Sequence, residues 1–203
     1  MTETRRQPTQ ERAKARVERI LAAASELIAE TGSDTVRMTE VAARAGIPIG
    51  SLYQYFPDKA AILRMLALRF MERVRDGLRD GLAGIGGGEE ALARVDAILE
   101  GYYAVFLTEP VVRDIWSGTQ SDKALQEIDI EDSRANGELV FAALKSLVAK
   151  RDHARFAASC FLLMQLSGAA VRLAIGVERE EGDRLMIEYR RMVRSELNAF
   201  LGG

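Results

Sequence analysis

Apolar residues recur at three- and four-residue spacing along almost the whole of this 203-residue chain, and that period commits it to helices. Val17, Ile20, Leu21, Ala24, Leu27 and Ile28 give a first helix one apolar face, the stripe that a surface helix buries. Thr9 is expected to cap its start, and Gly32 to end it in a left-handed stop. The same period continues through 38–45, 48–56, a long run from Asp58 to about Ala83, then about 89–107, 110–117, 121–150, 152–177 and 181–201. Gly46, Pro57, Pro110, Gly118, Asp152 and Gly182-Asp183 stand at the joints. No segment alternates with the period of two that a half-buried strand requires. The expected fold is all-α, with about nine helices.

Composition narrows the function classes. At 48% apolar residues the chain can bury a substantial core. It has one cysteine, Cys160, and one histidine, His153. An internal disulfide and a histidine-rich metal site are thereby excluded, and no metal or cofactor is expected. Seven residues apart on one helix, the two lie about two turns from each other, too far for a nucleophilic pair. A serine triad would have only this histidine to use. The glycines of 84–88 follow no strand and precede no Gly-Lys-Ser/Thr, so they do not read as a phosphate loop. The N-terminus lacks the apolar core of a signal peptide. The longest uncharged run, 156–171, falls short of the ~20 apolar residues of a membrane span. A cytoplasmic protein with no membrane partner is the expectation.

The net charge of −2 conceals an uneven distribution. Residues 1–59 carry 9 basic and 8 acidic side chains, against 19 and 22 in the remainder. Within 1–19 there are 6 basic residues (Arg5, Arg6, Arg12, Lys14, Arg16 and Arg19) and 3 acidic ones. Such an arm suits either a solvated tail or a phosphate contact.

Residues 38–56 have the shape of a helix-turn-helix. Ala42 is small, as it must be where two helices cross closely, and Gly46 supplies the turn between them. Leu52 and Phe56, four apart, anchor the second helix inward and leave Ile49, Gly50, Tyr53 and Gln54 outward. By pattern alone this corner is either a core element or a DNA reader.

The motifs Ile20-Leu21-Ala22-Ala23-Ala24, Glu40-Val41-Ala42, Ala45-Gly46-Ile47 and Gly50-Ser51-Leu52-Tyr53-Gln54-Tyr55-Phe56, followed by Lys59 and Leu63, resemble the DNA-binding domain of the TetR/AcrR family of bacterial transcriptional regulators. The resemblance implies a DNA-binding domain over 14–74, with its helix-turn-helix at about 37–56, and a ligand-binding and dimerisation domain over 75–203. It implies base-edge contacts from Ile49, Gly50 and Ser51, and a backbone or thymine-methyl contact from Tyr53. Gln54 and Tyr55 match backbone-contacting positions, and Lys59 a phosphate grip. Arg37 and Thr39 match positions that touch phosphate or an edge base. Tyr55 is equally suited to packing on the first helix. Unlike many relatives, residues 48–56 carry no charge, which leaves Arg5, Arg6, Arg12, Lys14, Arg16, Arg37, Arg44 and Lys59 to attract phosphate.

The resemblance also implies a homodimer built from the last two helices. Leu162, Leu166, Ala169, Ala170 and Leu173 offer one stripe, and Tyr189, Met192, Val193 and Leu197 the other, unless they form a seam within one subunit. A small-molecule pocket would draw on Phe70, Tyr102, Tyr103, Phe106, Trp116, Phe141, Phe161 and Met164, each equally at home in a plain core. Gln165 and Arg172, polar exceptions on an apolar helix, are further candidates for that pocket; Arg172 is expected either to bind an anionic ligand or to pair with a carboxylate such as Glu100 or Glu178. The implied function is a homodimeric repressor of double-stranded DNA, bound at a near-palindromic operator and released by an unknown small-molecule effector. An activator, a regulator without inducer, and a small helical ligand-binding protein or enzyme are the alternatives.

Overall fold

The computed structural model describes residues 6–118 and 123–202, except the side chains of 6–10 and 118. Arg5 and the side chain of Arg6 therefore lie outside the described residues. Among those described there are nine α-helices and no strand: α1 Arg6–Thr31, α2 Met38–Arg44, α3 Ile49–Tyr55, α4 Lys59–Leu82, α5 Gly88–Thr108, α6 Pro110–Gly118, α7 Lys123–Leu144, α8 His153–Gly176 and α9 Arg179–Leu201. The chain divides into two compact units, Met1–Arg69 and Phe70–Gly203, so α4 contributes residues to both.

In the first unit α1 packs on α2, and α2 on α3. The buried set includes Ile20, Leu21, Ala24 and Ile28 of α1, Val41 and Ala42 of α2, Leu52 of α3, and Phe56 and Ile62. Each large side chain buried this way contributes roughly 1.5–3 kcal/mol before entropy is counted. The α1 backbone is already helical at Arg6, so Thr9 lies inside the helix and does not cap it. The other end is as expected: Gly32 has φ +82°, and its N–H donates to the Ile28 carbonyl at 2.8 Å.

In the second unit α8 is central, packed against α5, α6, α7 and α9. Phe106, Leu144, Phe156, Val171 and Leu197 are fully buried around it. The stretch Lys150–Gly176 has the length and composition of a membrane span, with mean hydropathy 1.6, although its uncharged run is short. Part of that apolarity is buried in helix packing, while Leu162, Leu166 and Leu173 remain exposed. Cys160 is 1% exposed, and burial pushes its thiol up to about 12, leaving it an inert filler.

Two joints differ from the sequence reading. α7 stops at Leu144, six residues before 150, and two 3₁₀ turns follow at Lys145–Leu147 and Lys150–Asp152. His153 Nε2 stands 3.1 Å from the carbonyl oxygens of both Lys145 and Val148. Carbonyls only accept, so this nitrogen carries the proton. The α8–α9 joint is Val177-Glu178, and Gly182 sits in the first turn of α9 with its N–H on the Glu178 carbonyl at 2.9 Å. A Cβ at 182 would collide with the Ala174 carbonyl oxygen. Gly182 is therefore a close-packing residue rather than a helix breaker.

Candidate nucleic-acid interface

The turn between α2 and α3 is fixed by its backbone. Gly46 has φ +65°; its N–H donates to the Ala43 carbonyl (3.1 Å), and the Ile47 N–H to that of Ala42 (3.0 Å). These two bonds make a Schellman motif, which closes a helix through a left-handed residue that only glycine adopts readily. Pro48 then opens α3, its carbonyl accepting from Ser51 (2.9 Å) and Leu52 (3.2 Å). At the start of α2 the Arg37 N–H donates to Glu40 Oε2 at 2.9 Å, half of a capping box. Asp58 Oδ1 accepts from Ala61 N–H at 2.7 Å and caps α4.

With Leu52 (0% exposed) and Phe56 (4%) anchored inward, α3 presents Ile49, Gly50, Tyr53 and Gln54 outward, while Ser51 and Tyr55 are half-buried. Tyr53 is half exposed and Ile49 more than a third. A Cβ added to Gly50 would meet nothing within 4 Å. Folding thus sets no requirement for glycine at a helical position where alanine is the better residue. Arg37 and Thr39 are exposed at the opening of α2, so the expected contact residues of α2 and α3 all reach the surface at least in part.

The cations are less uniformly free than their sequence suggests. Lys59 donates to the carbonyls of Ser33 and Asp34, both at 2.8 Å, and ties the start of α4 to the α1–α2 loop. Arg44 forms a bidentate pair with Glu30 (2.9 and 2.9 Å) and a bond to Glu26 at 3.2 Å. That pairing raises the Arg44 pKa and lowers that of Glu30. Arg16 is half-buried, with its Nε unpartnered among the described residues. Arg12, Lys14, Arg19 and Arg37 are exposed.

The expected seam residues of the second unit divide into two groups. Leu162 (57% exposed), Leu166 (39%) and Leu173 (55%) stand out from α8, and Met192 (58%) from α9. Ala169 is exposed on the same α8 stripe and Ala170 half-buried. Tyr189, Val193 and Leu197 instead belong to the subunit's own core, and the Tyr189 hydroxyl donates to the Leu163 carbonyl at 2.6 Å. A helix amphipathic on two sides shows no periodicity difference between its inner and outer stripes. Ile187 on α9 is exposed as well, at 60%, and its sequence pattern gives no sign of it.

The second unit holds a cavity whose empty space, open mouth included, is ≈ 600 Å³. Of the expected pocket residues, Phe70, Tyr102, Trp116 and Met164 line it; the others lie elsewhere. Tyr103 donates its hydroxyl to Asp183 at 3.0 Å, and burial raises its pKa. Phe106 supports the wall, edge-on to Phe70 at 5.3 Å and to Trp116 at 5.8 Å between centroids. Phe141 packs on His153 and Phe156, and Phe161 lies under the Arg134 guanidinium at 4.4 Å. Gln165 donates to Asp129 at 3.2 Å. Arg172 pairs with Asp129 at 3.8 Å; Glu100 instead pairs with Arg190. Sequence reasoning missed the polar wall, Asp129, Asp132, Ser133 and Asn136 of α7. Their spacing of three and four was legible, but not that this stripe turns inward.

Comparison with known proteins agrees with this architecture. Residues 20–66 match the family model described as bacterial regulatory proteins, tetR family, and residues 89–201 that described as tetracyclin repressor-like, C-terminal domain. The HTH-type transcriptional repressor KstR of Rhodococcus jostii (strain RHA1) is 41% identical over 61 residues, a match spanning 30% of this chain and 29% of that protein. A TetR-family transcriptional regulator from Streptomyces coelicolor is similar with TM-score 0.69 at 26% identity, over 92% of this chain and 99% of the other. One from Pectobacterium atrosepticum gives TM-score 0.70 at 18% identity, over 95% and 96%.

Proposed function

The chain belongs to the TetR family of bacterial regulatory proteins and is a DNA-binding transcriptional regulator, and on that premise we propose that it acts in the cytoplasm as a homodimeric repressor rather than as an enzyme. The observation that carries this reading is the outward face of α3, where Ile49, Gly50, Tyr53 and Gln54 are exposed beside an anchored Leu52. In the proposed complex α3 enters the major groove. Ser51 and Gln54 hydrogen-bond base edges, Ile49 and Tyr53 contact apolar groups such as thymine methyls, and Gly50 lets the backbone approach. Arg12, Lys14, Arg37 and Thr39 supply phosphate contacts. Lys59 adds positive charge while holding the α1–α2 loop, and Tyr55 acts by packing as much as by contact.

Two copies reading half-sites of a near-palindromic operator multiply a modest single contact. The exposed stripes Leu162, Leu166, Ala169, Leu173 and Ile187, Met192 are the proposed seam between the copies. A small effector in the cavity of the second unit would release the DNA by favouring a conformer whose two α3 helices no longer fit successive grooves. α4 is the proposed link, since it carries both Lys59 and the cavity residues Phe70, Val74 and Leu78.

A mobility shift on the DNA upstream of the gene tests the interface. Tyr53→Ala and Gln54→Ala are each expected to weaken binding about tenfold or more, with thermal stability unchanged. Unaltered binding in both would overturn the assignment. Lys59→Ala is a poor control, because it also frees two loop carbonyls. Leu166→Glu with Leu173→Glu is expected to yield monomers by sedimentation; an intact dimer would move the seam elsewhere.

A further inference from the structure

The cavity of the second unit has two chemically distinct walls. One is aromatic and flexible: Phe70, Tyr102 and Trp116, with Met71 and Met164. The other is the inward stripe of α7, where Asp129, Ser133 and Asn136 are each at least nine-tenths buried and Asp132 is close to it.

The hydrogen bonds along that stripe define what is missing. Asp132 accepts from Arg75 and from Asn136 Nδ2 at 2.8 Å. Asp129 faces Arg172 at 3.8 Å and accepts from Gln165 at 3.2 Å. A carboxylate only accepts, so Asn136 must turn its NH₂ toward Asp132. Its Oδ1 is left buried without a partner among the described residues. The hydroxyls of Ser133 and Tyr102 belong to residues that line the same cavity, and each can donate or accept. Arg75 Nε and Arg172 Nη1 behind the wall are also without a hydrogen-bond partner among the described residues, but neither arginine lines the cavity; on the lining itself, Asn136 Oδ1 calls for a donor.

Charge narrows the choice further. Each carboxylate already faces an arginine, so the wall is balanced. An anion would add a third negative charge in a desolvated site, and a cation would have to displace an arginine. Burial raises Asp132 despite Arg75, in keeping with a poorly solvated wall.

We propose that this cavity binds a neutral aromatic molecule of one or two rings carrying a hydroxyl or N–H donor at one end. The ring lies against Phe70, Tyr102 and Trp116, and the donor reaches Asn136 Oδ1 and the Ser133 hydroxyl. The inference rests on the effector reading for its regulatory meaning, but the binding itself does not depend on DNA.

Trp116 is the only tryptophan of the chain and lines the cavity, so its fluorescence reports occupancy. The full-length protein is titrated with para-tert-butylphenol, para-tert-butylbenzoate and tert-butylbenzene. The phenol is expected to give a saturable change, with the benzoate and the hydrocarbon about tenfold weaker or more. Ser133→Ala, and Asn136→Leu if it folds, should weaken the phenol severalfold and leave the hydrocarbon unchanged. A benzoate that binds as tightly as the phenol, or no saturable response to the phenol, overturns the proposal. Saturable phenol binding that leaves DNA affinity untouched supports this cavity assignment and removes only the effector reading.

Discussion

The outward face of α3 and the seam between α7 and α8 each carry a helical glycine, and the two meet opposite surroundings. A Cβ at Gly50 would enter open space, whereas one at Gly137 would lie 2.8 Å from the Phe161 Cα and 2.9 Å from its nitrogen. Gly137 lets two backbones approach, a need set wholly by folding. Gly50 has no such need within the subunit, in keeping with the close approach to DNA proposed for it. The same contrast holds for polarity. α3 leaves Ile49 and Tyr53 in solvent, which costs little. α7 buries Asp129, Ser133 and Asn136, which costs much unless each is partnered. Exposed apolar groups are therefore weak evidence until a motif singles them out, while buried polar groups are strong evidence by themselves.

Substitution at the two glycines tests the comparison most sharply. Gly137→Ala should lower stability by about 1–3 kcal/mol in urea unfolding, as overpacking does. An unchanged midpoint would mean that the α7–α8 approach is not tight. Gly50→Ala should do the reverse, raising stability by about 0.5–1 kcal/mol while weakening operator binding about tenfold, an affinity change of ~1.4 kcal/mol. Full DNA affinity in this variant would show that α3 does not approach the duplex closely.

Two carboxylates of the second unit give the finest test, because their shifts have opposite sign. Asp96 is held below its usual range by hydrogen bonds from Arg190 at 2.8 and 2.5 Å. Its contribution is complete above the unfolded value of about 4 and is lost as pH falls through the lower folded value. Asp132 is raised by burial, so its folded form takes up a proton more readily than the unfolded chain. Stability then gains as pH falls through the window between about 4 and that raised value. Urea midpoints of Asp96→Asn and Asp132→Asn, each compared with the wild type across acid pH, should diverge in opposite directions. Parallel slopes would contradict the buried character of the α7 wall.

Much of the first unit was legible in the sequence because its determinants are local. The 3.6-residue period, Gly32 as a left-handed stop, Gly46 in the turn, and the Leu52/Phe56 anchors all act within a few residues. Less of the second unit could be read. The end of α7, the place of Gly182 and the partner of Arg172 depend on which helix lies opposite. α9 illustrates this best, since Val193 is buried and its neighbour Met192 is 58% exposed with no difference in apolar character to separate them.

Sequence alone determined that this chain is helical, that α3 carries no charged residue, and that one cysteine and one histidine leave no internal disulfide and no histidine-rich metal site. A helical period and a residue count need no knowledge of neighbours. Only the tertiary structure decided that Arg44 and Lys59 are engaged within the first unit. It alone turned the polar stripe of α7 onto a cavity and left the Asn136 carbonyl oxygen there without a donor among the described residues. Whether a polar group faces water or a core depends on the helix packed against it, and nothing in the local sequence encodes that partner.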